Sequence, residues 1–187
     1  MFGGAPEIRT NTFSIMKGSF WNSDGIGDPD KHSFIHETIR EHKLDFFALL
    51  ETGRSNFNAP FLKHLSGGLH FAWYCLPSHG RSGGILVGIN TASLHVKNIV
   101  TSDHCVKLHL RFKLDGFEWA LVAVYGAAQD AQKPEFLSEL VRICESEPLP
   151  MLIGGDFNII RHREEKNNDN FNEDGLLFST RSLRVLT

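Results

Sequence analysis

Asp156 and Asn158 follow the apolar run Met151-Leu152-Ile153 and the pair Gly154-Gly155, which sets an acid and an amide two residues apart at the carboxyl end of a strand-like segment. Oxygen-bearing side chains in that position suit a hard metal ion or a phosphate. Two other apolar runs end in the same way, at Trp21-Asn22-Ser23-Asp24-Gly25 and at Ala48-Leu49-Leu50-Glu51-Thr52. One Asp-x-Asn after a strand is more often a turn or a helix cap than a ligand. Three strand ends carrying Asn, Asp and Glu make a site hypothesis, because independent turns have no reason to repeat the pattern.

The chemistry such a set can perform is phosphoryl chemistry around a divalent cation. Mg²⁺ prefers oxygen ligands and keeps several waters, so one or two carboxylates with substrate phosphate suffice to hold it. Glu51 is the strongest ligand candidate, since a carboxylate directly after Leu49-Leu50 stands at the mouth of a core and needs a cation or donors to compensate it. Asn22 is the second metal residue, through its amide oxygen, and Asp24 a support behind them. On an extended strand end Asp156 and Asn158 point to one side. Asp156 can then orient or deprotonate a water, while the Asn158 amide donates to a phosphoryl oxygen that gains charge. Tyr125 is a candidate for a further hydrogen bond to phosphate.

These residues need elements to position them. Phe13 to Trp21 reads as a first strand, and Asp28-Pro29-Asp30 opens a helix over Lys31 to Lys43 in which Phe34, Ile35, Thr38, Ile39 and His42 recur at helical spacing; His36 and His42 are read as solvated helix surface. Asp45 to Leu50 is a short continuous apolar run, as expected of a strand covered on both faces. A weaker helix falls near Ala59 to Leu65. Strands follow at Leu69 to Leu76 and Gly84 to Asn90, with Gly80-Arg81-Ser82-Gly83 as the turn. Val106 to Leu114 alternates apolar with polar residues, predicting one core face and one wet face. Asp115-Gly116 suits a tight hairpin leading into a strand from Phe117 to Tyr125. Lys133 to Glu145 reads as a helix burying Phe136, Leu137, Leu140, Val141 and Cys144, and Pro148 and Pro150 end it before the Met151 strand.

The chain has 187 residues, 41% of them hydrophobic and 22% charged, which suits one globular domain. Its formal charge of −3 draws it to nucleic acid no more than it repels it. The three cysteines, Cys75, Cys105 and Cys144, have neither zinc spacing nor a disulfide framework, so reduced thiols and an intracellular location, cytoplasmic or nuclear, are expected. No signal-like amino terminus and no membrane-length apolar run occurs.

Taken in order, the motifs resemble those of the exonuclease-endonuclease-phosphatase superfamily, over about Phe13 to Arg163. Trp21-Asn22-Ser23-Asp24-Gly25 resembles its first motif, Leu50-Glu51-Thr52 its metal-binding glutamate, Val124-Tyr125-Gly126 its phosphate-contacting tyrosine and Gly155-Asp156-Phe157-Asn158 its Asp-x-Asn. Within it, Gly25 to Lys31, Gly80 to Ile85, and Gly154 to Asn158 followed by Arg161 and Glu164-Glu165-Lys166 are similar to plant LINE-type retrotransposon endonuclease domains. The resemblance implies a two-sheet α/β sandwich, Mg²⁺ or Mn²⁺ as cofactor and a DNA phosphodiester as substrate.

The family pattern continues past Asp-x-Asn with further strands and a closing Ser-Asp-His motif, whereas only 29 residues follow Asn158 here. The expectation is therefore a partial sandwich lacking C-terminal strands. A loose stretch at residues 1–12 precedes the domain at 13–163, and a polar loop and atypical tail at 164–187 follow it. Ser102-Asp103-His104 spells the closing motif but stands before Tyr125 and Asp156, so it is read as a turn and its histidine given no catalytic part. Weak or absent hydrolysis by the isolated chain is the leading expectation. The alternatives are a non-catalytic module that binds a protein partner through an exposed apolar edge, helped by Leu176 to Leu186, and a minimal phosphodiesterase acting on a small phosphorylated compound.

Overall fold

The computed structural model describes residues 16–78 and 83–159. Strands β1 (Gly18–Asn22), β2 (Phe46–Leu50), β3 (Phe71–Leu76) and β4 (Ile85–Asn90) form one sheet in the order β1-β2-β4-β3. Strands β5 (Leu94–Thr101), β6 (Cys105–Phe112), β7 (Glu118–Tyr125) and β8 (Met151–Asp156) form a second in the order β5-β6-β7-β8. Helices α1 (Pro29–His42) and α2 (Ala59–Leu65) accompany the first sheet and α3 (Lys133–Ser146) the second. This is the two-sheet α/β architecture expected from the sequence.

Two facing apolar surfaces form the centre. Phe46, Ala48, Leu50, Val87 and Ile89 of the first sheet meet Val106, Leu108, Leu110, Leu121 and Ala123 of the second. Phe47 and Leu49, on the other face of β2, pack with Leu86, Ile35, Ile39 and Leu65. All five residues of β2 are buried, which explains why its sequence runs apolar without alternation. On the outside of the second sheet Cys105, Val122 and Val124 lie under Phe136, Leu137 and Leu140 of α3.

The helix boundaries follow from local chemistry. The Asp28 side chain accepts from the Asp30 amide and Pro29 occupies the first turn, so α1 starts where its sequence favours it. Lys43, at φ 52°, ends it in a left-handed cap. Asn58 caps α2 by accepting from the Phe61 amide. Phe34 is 51% exposed, lying against the Trp21 ring at 5.0 Å rather than in the core.

The expected features differ from the structure in several places. Strand β5 escaped the sequence pattern because it is an edge strand with only Leu94 buried, and a bulge between Val96 and Asn98 breaks its alternation. Strand β6 stops at Phe112, leaving Leu114 68% exposed. The β6 to β7 connection is not a two-residue turn: Lys113 to Gly116 form a wider loop in which Gly116 alone has positive φ, the Gly116 amide donates to the Phe112 carbonyl at 2.9 Å and the Asp115 carboxylate accepts from the Phe117 amide. The fourth concerns the polar face of β6, which meets water at Arg111 but is largely covered at Lys107 and His109. Lys107 Nζ and His109 Nε2 reach Glu147 Oε2 at 2.9 and 2.6 Å, beneath the end of α3, and the Glu147 side chain is only 1% exposed. In α3 itself the buried set is Phe136, Leu137, Glu139 and Leu140, while Val141 and Cys144 are half-buried. The predicted turn at residues 80–82, the loop and tail from 160 onward, and the proposed cover by Leu176 to Leu186 lie outside the described residues.

Glu147 gives a measurable consequence. Burial alone would raise its pKa, but the hydrogen bonds from Lys107, His109 and the Leu149 amide outweigh burial and hold it below the usual 4.5. A carboxylate lowered in the fold stabilises above its unfolded value and loses that contribution as pH falls through the folded one. Glu147→Gln is expected to cost about 2 kcal/mol at pH 7, by weakening two charge-assisted bonds at a buried position. In urea melts the gap between wild type and variant should close progressively below pH 4.5; a gap that persists unchanged at pH 3 contradicts this account.

Candidate active site

Both parallel strand pairs among the described residues, β1 with β2 and β7 with β8, are joined by a crossover helix, and both end at the same side of the sandwich. Asn22 pairs in register with Leu50, one residue before Glu51, and Tyr125 pairs with Asp156. Four strand ends therefore deliver Asn22, Glu51, Tyr125 and Asp156, as expected for a site at the carboxyl ends of parallel strands.

The two sheets are tied together there. Asn22 Nδ2 donates to Asp156 Oδ2 at 2.8 Å across 134 residues of sequence. The Asn158 backbone N–H donates to the other Asp156 oxygen at 3.0 Å. The Tyr125 hydroxyl is the second meeting point: burial lifts its pKa above 10, the Glu51 carboxylate and, more weakly, Asp156 push it the same way, and the Asn158 side chain opposes them. Asn22, Glu51, Tyr125, Asp156 and Asn158 thus surround one small volume.

Close packing beneath makes this arrangement possible. A Cβ on Gly154 would fall 2.4 Å from the Phe20 ring, so only glycine lets β1 lie so near β8. Gly155 takes φ 142°, outside the range of L side chains, and turns the chain into Asp156. The loop after β1 stays zipped to the end of β2: the Ser23, Gly25 and Ile26 amides donate to the carbonyls of Leu50, Glu51 and Thr52. Lys31 Nζ adds bonds of 2.7 to 2.9 Å to the carbonyls of Ser23, Asp24 and Gly25. Glu51 itself sits at φ 55°, a left-handed conformation costing an acidic residue on the order of 1 kcal/mol, which the zipped loops sustain.

Two candidate residues behave differently from the extended-strand expectation. Asn158 is not extended but left-handed at φ 51°, and its Nδ2 donates to the Gly126 carbonyl at 2.9 Å while the same side chain also hydrogen-bonds the Tyr125 hydroxyl. Asp24 is exposed and its side chain makes no hydrogen bond among the described residues; only its carbonyl is used, by Lys31. Asp24 is therefore not drawn into the cluster by any described contact.

Sequence reasoning missed two neighbours. Lys133 lines a cleft with Asp156, Phe157 and Asn158, while its Nζ pairs with Asp130 at 2.6 Å. Its place at the start of a helix gave no signal of this. His104 lines a second cleft together with Tyr125. The Ser102-Asp103-His104 stretch is the β5 to β6 turn, as read from the sequence, and Ser102 and His104 both bind Glu139.

The family model described as Endonuclease/Exonuclease/phosphatase family matches residues 11–181. The chain belongs to this family. Its members are phosphodiesterases, phosphatases and nucleases that typically use divalent metal ions. Among solved structures the chain is similar to an AP endonuclease from Archaeoglobus fulgidus, at 15% identity and TM-score 0.65, covering 88% of this chain and 68% of that one. It is also similar to the human Nocturnin catalytic domain with bound sulfate anion, at 15% identity and TM-score 0.59 over 76% and 64% of the two chains. A third similar structure is D. rerio TDP2 complexed with single strand DNA product, at 15% identity and TM-score 0.58 over 78% and 61%. The chain thus spans about two thirds of the length of these structures. At such identities they establish the shared fold. No curated protein matches the chain in sequence.

The donor set can be tested against the metal such a family uses. Among the described residues no group of three or more His, Cys, Asp or Glu side chains is arranged to hold an ion. What the cluster offers is one carboxylate at Glu51 and the Asn22 oxygen, which has no hydrogen-bond partner among the described residues while the amide nitrogen faces Asp156. Two oxygen donors fit an ion that keeps its remaining positions for water and phosphate, as Mg²⁺ does, and do not fit zinc.

The convergence on Tyr125 has a spectroscopic signature. Both tyrosines of the chain, Tyr74 and Tyr125, are raised above 10, each chiefly by burial. Removing the negative charge in Glu51→Gln eases phenolate formation at Tyr125, so one of the two ultraviolet titration steps should move to lower pH and the Tyr74 step should stay. Unmoved titrations in the variant would place Glu51 away from Tyr125.

Proposed function

We propose that this chain is a divalent-cation-dependent phosphodiesterase module of the retroelement endonuclease type, with residues 13–163 as the functional unit, and that it turns over slowly by itself. The observation that carries the reading is the Asn22 to Asp156 bond, which gathers a metal-type pair and an acid-amide pair at one end of the sandwich. Glu51 and Asn22 hold the cation, which supplies charge neutralisation at the phosphoryl group. Asp156, with each oxygen already accepting one hydrogen bond, orients the attacking water. Tyr125 and the Asn158 side-chain amide, which hydrogen-bond each other in the free chain, would donate to phosphoryl oxygens of the substrate. Asp24 supports the loop through its carbonyl.

Two points favour a nucleic acid strand as substrate. Lys133, paired with Asp130, lines the same cleft as Asp156, and the similar TDP2 structure carries single strand DNA product. The LINE-type assignment rests on the sequence of Gly25 to Lys31, Gly80 to Ile85, and Gly154 to Asn158 followed by Arg161 and Glu164-Glu165-Lys166. Slow turnover is proposed because His104, the histidine of the Ser102-Asp103-His104 letters, is held by Glu139 rather than by Asp156, and an acid or base held away from its partner lowers rates by about 100-fold or more.

A second reading, a protein-binding module, is favoured by the exposure of Ile99 and Val100 on edge strand β5 and of Leu152 on β8. The two separate on one preparation. Calorimetric titration with Mg²⁺ or Mn²⁺ should give one site, lost in Glu51→Gln, and plasmid DNA should be nicked slowly in Mg²⁺, with Asp156→Asn lowering that rate about 100-fold. Absence of cation binding by the wild-type chain refutes the phosphodiesterase reading and leaves the second.

A further inference from the structure

His104 stands outside the cluster just described, yet it is held more firmly than a turn requires. Glu139, from α3 and itself buried, receives three donors from one turn: the Ser102 hydroxyl, the His104 amide at 3.3 Å and His104 Nδ1 at 2.9 Å. Burial opposes the ionised form of Glu139, but these bonds prevail and keep its pKa below the usual value. A carboxylate accepts only from the nitrogen that carries hydrogen, so this contact assigns the proton to Nδ1 and leaves Nε2 for another partner. No described residue supplies that partner. The ring also packs against Phe136 at 5.2 Å between centroids, which fixes its orientation, and the His104 carbonyl accepts from the Tyr125 amide at 2.9 Å.

His104 lines a cleft of about 190 Å³ that also includes Tyr125, Asp103, Gln129, Gln132 and Leu76. Sharing Tyr125, the cleft adjoins the proposed phosphoryl position. Among the described residues its lining is not that of a phosphate site, because Asp103 brings a negative charge and no described lysine or arginine lines it. It presents instead both donors and acceptors on the imidazole, the two glutamines and Asp103, beside apolar walls at Leu76, Pro77 and Ile85. That mixture suits a flat, uncharged, polar-edged group joined to a phosphate.

We propose that this cleft is a nucleoside subsite, in which His104, oriented by Glu139, hydrogen-bonds through Nε2 to the base or sugar of the nucleotide whose phosphate lies at Tyr125. His104 is here a binding residue, and the hydrolytic step does not pass through it. The proposal rests on the phosphodiesterase reading for the placement of the phosphate. It adds a direct contact by which the chain would prefer nucleotides over other phosphate compounds.

The test uses the full chain with Mg²⁺ and three probes: thymidine 5′-monophosphate, thymidine and inorganic phosphate. With ¹⁵N-labelled histidine, the His104 Nε2 resonance, identified by its loss in His104→Gln, should move with the nucleotide and with thymidine but not with phosphate. By calorimetry the nucleotide should bind about tenfold more tightly than phosphate, and the ratio should fall towards one in His104→Gln. An unmoved His104 resonance with thymidine and nucleotide, while phosphate binds in competition with them, overturns the subsite and leaves the phosphodiesterase reading intact. A resonance that moves with thymidine in a chain that binds neither Mg²⁺ nor phosphate supports the subsite and removes that reading. The wild-type spectrum answers the question even if the variant fails to fold.

Discussion

The hydrogen bond between Asn22 and Asp156 is where the two sheets become one working object. Each sheet brings a parallel strand pair with a crossover helix, and each pair by itself places only part of the cluster at its carboxyl end. The facing apolar surfaces hold the sheets together without choosing their angle finely, since such packing is largely non-directional. A 2.8 Å contact between a short amide and a short acid does choose it. The zipped loops behind Asn22 and Glu51, and the glycines ahead of Asp156, allow that contact to form without backbone freedom being lost elsewhere.

Much of this was legible in the sequence wherever one residue type has one physical use. The all-apolar β2 announced a strand covered on both faces, Asp28-Pro29 announced the start of α1, and the acid and amide side chains after three apolar runs announced the cluster. What was not legible depended on partners remote in the chain. The lysine and histidine of β6 looked wet because nothing local reveals that Glu147 will lie over them. Strand β5 looked irregular because an edge strand needs little burial. Asn158 was expected to extend because its left-handed turn is stabilised by Gly126, 32 residues away.

The stretch Ser102-Asp103-His104 shows how a motif's letters and its geometry separate. Its letters match the family's closing motif, but its position in the β5 to β6 turn sets it on Glu139 rather than on Asp156. A buried glutamate on a helix stripe carries no signal in the helical periodicity except as an interruption. That interruption is the mark of the partner: Glu139 stands among Phe136, Leu137 and Leu140 because three donors from another element reach it.

The contact of the Phe20 ring with Gly154 lies two residues before Asn22 on one strand and two before Asp156 on the other. It therefore acts as a spacer gauge: the gap between the layers is set by the thickness of an aromatic ring on bare backbone, at a lever arm one pleat long from the groups it aligns. Any substitution that thickens this joint would separate the halves of the cluster while leaving every one of its side chains in the sequence.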